Sequence, residues 1–148
     1  MVPVFFVQSV LQQASKLFIS SKEEYKVYTN RYFKFGLLIT FLISILSCFF
    51  SDLIIYIFAH ENINYSSNIL SLMSFIPFLA MLNFKNLVFI LVNDLKSILN
   101  IATFWTLIFM ISSSLILCKI YGGIGLAYAL LATEIFSFII HYFLIKKN

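Results

Sequence analysis

Four apolar runs, each close to the length that crosses a bilayer, leave this chain few ways to fold. A spanning helix needs about 20 apolar residues. The runs are about Tyr32–Phe50, Asn68–Val92, Ile98–Cys118 and Tyr121–Ile145. None alternates polar and apolar residues over about ten positions, as the strands of a membrane barrel do. Composition closes the soluble route: 61% of residues are hydrophobic and 11% charged, against about 25% charged in an ordinary soluble domain. A soluble fold this apolar could not cover itself with polar surface. The sequence therefore predicts an all-α, polytopic membrane helix bundle, one domain over residues 1–148, with the lipid bilayer as its first partner.

Two shorter segments flank the first run. Met1–Ala14 is amphipathic, with Gln8, Gln12 and Gln13 among apolar residues, and reads as a partial helix too short to span. It has neither a basic start nor a small-residue cleavage site, so it does not read as a cleaved signal. The apolar stretch from Tyr32 continues to Ala59, longer than one hydrocarbon thickness. Ser51 and Asp52 interrupt it and make a good N-cap pair. Asp52–Ala59 is thus expected as a short interfacial helix, followed by a polar loop, His60–Ser67.

Charge orients the bundle. Lys16, Lys22, Lys26, Arg31 and Lys34 precede the first span; Lys96 links the second to the third; Lys146 and Lys147 close the chain. If four spans alternate, these eight lie on one side, and only Lys119 lies on the other. Positive loops stay cytoplasmic, so the basic segment and the C-terminus are expected inside. The net charge of +4 is accounted for by this asymmetry and does not point to nucleic acid.

An ionisable group at bilayer depth costs about 2.5–3.5 kcal/mol on insertion scales, so each one needs a reason. Glu134 lies near the middle of the fourth run. His141 follows seven residues later, two turns on along the same face, with Ser137 between them. Glu134 either faces a wet cavity, where it binds a proton, a cation or a sugar hydroxyl, or it holds helices together through a hydrogen bond. His141 is either its partner or an interfacial side chain. Lys85 lies in the second run between Asn83 and Asn86, downstream of Pro77, which should kink the helix. It either faces a central cavity and attracts an anionic substrate, snorkels to the surface, or pairs with Asp94 or Glu134. Polar residues just past a helix break recur at transporter sites. The candidate pathway residues are therefore Lys85, Asn83, Asn86, Glu134 and His141.

The remaining features read as packing. Ser112, Ser113 and Ser114 suit helix–helix contacts, as do Gly122, Gly123, Gly125, Ala127 and Ala129. Cys48 and Cys118 sit far apart inside apolar runs and behave as small hydrophobes. No residues have metal-ligand spacing, no cofactor motif is present, and no nucleophile stands with a base, so the sequence gives no reason to expect an enzyme.

The order of features is similar to that of a known family. A basic loop and a span are followed by SDLIIYIFAHENINYSSNILSLMSFIPFLAMLN, and the chain closes on KIYGGIGLAYALLATEIFSFIIHYFLIKK. Together these resemble the C-terminal half of the polysaccharide exporters. That family holds the Wzx-type O-antigen and capsule flippases, within the multidrug/oligosaccharidyl-lipid/polysaccharide superfamily. The resemblance covers nearly the whole chain and is carried by order and spacing. It implies the last four spans of a transporter with about twelve, built as two lobes that rock against each other; Met1–Lys16 would be the end of the preceding span. The implied function is to flip undecaprenyl-linked oligosaccharide, the repeat unit of O-antigen lipopolysaccharide or capsule, outward across the bacterial inner membrane. The implied partners are the lipid-linked oligosaccharide and a separate N-terminal piece of the same transporter. A piece of a multidrug or cation antiporter of the same superfamily, or a small accessory membrane protein, stays open as an alternative.

Overall fold

The computed structural model describes residues 2–60 and 63–147, with side chains from Val10 onward. Eight helices follow one another: α1 (Val2–Ser20), α2 (Lys22–Phe49), α3 (Ser51–Ala59), α4 (Asn64–Met73), α5 (Ile76–Leu82), α6 (Phe84–Val92), α7 (Lys96–Tyr121) and α8 (Gly123–Lys147). No strand occurs among the described residues. Among the described residues, four helical stretches are long and apolar enough to cross a membrane: α2, α4 to α6 taken together, α7 and α8. The chain is thus an all-α, membrane-embedded bundle.

Helix boundaries differ from the sequence reading where caps decide them. α1 runs to Ser20, well past Ala14. Ser21 then starts α2 ten residues before Tyr32, its side chain accepting the Glu24 backbone N–H at 3.3 Å. Glu23 and Glu24 sit in the first turn, where acidic side chains complement the helix dipole. At 28 residues, α2 is about 42 Å long and overhangs about 30 Å of hydrocarbon. Its basic first turns therefore project beyond the apolar zone.

The short helix after the first span exists, but its cap is not the expected one. Phe50 is the N-cap of α3, without a side-chain bond. Asp52 instead accepts the Ser67 hydroxyl and ties α3 to α4. The second half of the polar segment His60–Ser67 is helical, because α4 starts at Asn64; Glu61 and Asn62 lie outside the described residues.

The second span is broken twice. At Ser74–Phe75 the bonding tightens to Phe75 N–H donating to Leu72 C=O at 3.4 Å. Pro77, which has no N–H for the Met73 carbonyl, follows in the first turn of α5. At Asn83 the backbone N–H again bonds three residues back, to Ala80, at 3.1 Å.

Two packing units result. Val10, Ala14, Tyr25, Met81, Phe84 and Val88 form a core joining α1, α2, α5 and α6. Met81 nests on Gly36, where an added Cβ would lie 2.2 Å from its terminal methyl. The other unit is the α7–α8 hairpin, turned at Gly122 (φ 61°), which begins α8 two residues after Tyr121. A Cβ on Gly125 would lie 2.0 Å from the Leu117 carbonyl oxygen. Gly125, Ala129, Thr133, Ser137 and His141 follow every fourth residue, a single ridge of α8. Its buried small members let α8 seat closely against its neighbours. By contrast only 6% of the apolar window of α7 is buried within the protein, a surface that calls for hydrocarbon or further protein around it.

Candidate functional site

The ridge of α8 meets the second break of the second span. Asn83, 4% exposed, sits at that break because a backbone turn places its side chain across from Ser137 and His141. Its amide donates to Ser137 Oγ at 3.2 Å and lies 3.2 Å from His141 Nδ1. Asn86 donates to Asn83 Oδ1 at 3.2 Å, completing a polar chain along α6.

The tautomer of His141 follows from its contacts. Nδ1 lies 2.7 Å from the Ser137 carbonyl oxygen, which only accepts, so Nδ1 carries the proton. The Asn83 amide then bonds Ser137 Oγ, and its approach to Nδ1 is a contact. Nε2 takes no part in these contacts. This atom is buried without a hydrogen-bond partner, and so is the Thr106 hydroxyl. Buried polar atoms are usually satisfied by protein or ordered water, which marks this as a place where something polar belongs.

Both residues line a cavity of about 420 Å³ between α5–α6, α7 and α8. Ala80, Asn83 and Leu87 form one wall, Thr103, Thr106, Leu107 and Met110 a second, and Glu134, Ser137 and His141 the third. Glu134 is half-buried, and no ion pair or hydrogen bond holds its carboxylate among the described residues. No cation lines the cavity. It presents an acidic side chain, an imidazole nitrogen and three hydroxyls on an apolar bed, an arrangement suited to polar or positively charged ligands.

Lys85 and Asn86 stand elsewhere. They line a second cavity of about 250 Å³ with Tyr25, Lys26, Thr29, Asn30, Phe89 and Ile145. The Lys85 ammonium lies 4.5 Å from the centre of the Phe33 ring, a cation–π contact. Pairing with Asp94 does not occur, since Asp94 bonds Lys96 at 3.2 Å on the exposed turn between α6 and α7; nor is Lys85 paired with Glu134.

The structure thus brings Asn83, Glu134 and His141 together and separates them from Lys85, with the Asn83–Asn86 bond between the two groups. Sequence reading did not single out Thr103, Thr106, Lys26 or Asn30. Thr103 and Thr106 give no signal in a run of apolar residues until the rotation of α7 is known. Lys26 and Asn30 read as part of a solvated basic loop.

No family model, curated protein or solved structure matches this chain.

Proposed function

We propose that this chain is the membrane-embedded part of a transporter for undecaprenyl-linked oligosaccharide, acting in the bacterial inner membrane with its C-terminus in the cytoplasm. The observation that carries the reading is the cavity of Glu134, Ser137, His141 and Asn83, placed at bilayer depth beside a twice-broken helix. Buried acceptors without partners in an apolar bed are costly unless a ligand uses them. Sugar hydroxyls donate to such acceptors, and the Met110, Leu107 and Leu87 surfaces accommodate the apolar faces of a pyranose. Further helices, in the same polypeptide or a partner, complete the second lobe that alternating access requires.

A second reading has one specific observation in its favour. The cavity has no cation of its own and holds a carboxylate, which also fits a positively charged drug or a coupling cation, as in an antiporter.

The test is export. The chain is expressed with the helices that complete the transporter, in a strain lacking its own flippase, and surface polysaccharide is measured against membrane abundance. Glu134→Gln and His141→Gln are expected to lower export at least tenfold at unchanged abundance, with Ser112→Ala, on the exposed face of α7, at the parental level. Export falling only in step with abundance contradicts the reading. Intact export together with lost resistance to a cationic drug favours the antiporter.

A further inference from the structure

The second cavity belongs to a different zone of the molecule. Its lining residues come from the first turns of α2 (Tyr25, Lys26, Asn30), the start of α6 (Lys85, Asn86) and the end of α8 (Ile145), next to Lys146 and Lys147. The α2 and α8 residues lie near the ends of their spans at the basic face of the bundle, where lipid headgroups lie; Lys85 stands about two turns inside the end of the second span at Val92, within reach of that level for a lysine side chain. Two lysines and two asparagines are among the residues lining this space of about 250 Å³, and no acidic residue lines it. Neither Lys26 nor Lys85 has an ion-pair partner among the described residues. Lys26, Asn30 and Phe89 are exposed, Lys85 and Ile145 half-buried, and Tyr25 and Thr29 buried, so the cavity opens outward.

Two cations facing one space repel each other unless an anion lies between them. A lipid phosphate matches every part of this geometry. Its charge is attracted by Lys26 and Lys85, its oxygens accept from the Asn30 and Asn86 amides, and its acyl chains turn from there toward the bilayer interior. Basic pockets between spanning helices take anionic headgroups in this way.

We infer that the Lys26–Lys85 cavity is a binding site for the phosphate headgroup of an anionic membrane lipid. The inference is independent of the transport reading, since it uses only charge and position along the spans. The Phe33 ring 4.5 Å from the Lys85 ammonium restricts that side chain before a ligand binds.

The full chain is placed in nanodiscs of neutral phosphatidylcholine with a rising fraction of phosphatidylglycerol, and thermal unfolding is followed at each composition. Phosphatidylglycerol is expected to raise the midpoint saturably. Lys26→Gln and Lys85→Gln are each expected to raise the half-saturating fraction about fivefold, from the known worth of one lysine near a charged surface. Lys85→Arg should keep the parental value, and Lys34→Gln, which does not line the cavity, should change it little. Reading the lipid-dependent shift within each variant keeps the test valid if Lys85→Gln lowers stability by itself. A shift that persists undiminished in the Lys26→Gln, Lys85→Gln double variant overturns the site. So does millimolar inorganic phosphate reproducing the shift in neutral nanodiscs, which would mean a soluble anion and not a lipid.

Discussion

Asn83 donates its side-chain amide to the Ser137 hydroxyl at 3.2 Å, joining the second break of the second span to the middle of the fourth. Asn83 is buried and Ser137 half-buried, so water competes only in part for this bond. In a double-mutant cycle of Asn83→Ala and Ser137→Ala, the two changes should couple by about 1 kcal/mol in unfolding from detergent micelles. Additive effects would mean that the helices meet in another register.

Glycines at the α7–α8 turn should differ sharply in what they tolerate. A Cβ at Gly125 collides with the Leu117 backbone, which cannot yield, whereas at Gly123 it meets the tip of the Tyr65 side chain at 3.0 Å. Gly125→Ala is expected to cost about 2–3 kcal/mol, in the range of overpacked cores, and Gly123→Ala less than about 1. Equal losses in a thermal melt would show that the hairpin is not this close.

Topology follows from four spans and the charge asymmetry. Reporter fusions after His60 and after Gly122 should read as outside the cytoplasm, and fusions after Asp94 and at Asn148 as inside. A cytoplasmic reading after His60 would remove α3 from the outer face and overturn the four-span arrangement.

How much of this was legible beforehand depends on how far each feature is local. The spans could be read because hydrocarbon thickness imposes a length on any apolar helix, and Pro77 marked the first break because its missing N–H acts within one turn. The second break, at Asn83, has no such local signature; it is stabilised by Ser137, 54 residues away. Glu134 and His141 stood out as ionisable residues in apolar surroundings, and their shared face followed from helix geometry. Lys85 stood out for the same reason, yet it belongs with Lys26. Which side of a helix looks into a cavity depends on packing against other helices, and α6 turns Asn83 and Lys85 in different directions.

A cavity with a few polar groups on an apolar bed lies between the second, third and fourth spans, and transport through it requires water to enter. Single cysteines at Thr106, which lines the cavity, and at Ile111, which is 52% exposed on the outer surface of α7, test it directly. Both are introduced in a Cys48→Ser, Cys118→Ser background and treated with a membrane-impermeant thiol reagent in intact membranes. Thr106→Cys is predicted to label at least tenfold faster than Ile111→Cys. Equal rates at the two positions, or no labelling at Thr106→Cys from either side of the membrane, would contradict a water-filled site around Glu134 and His141.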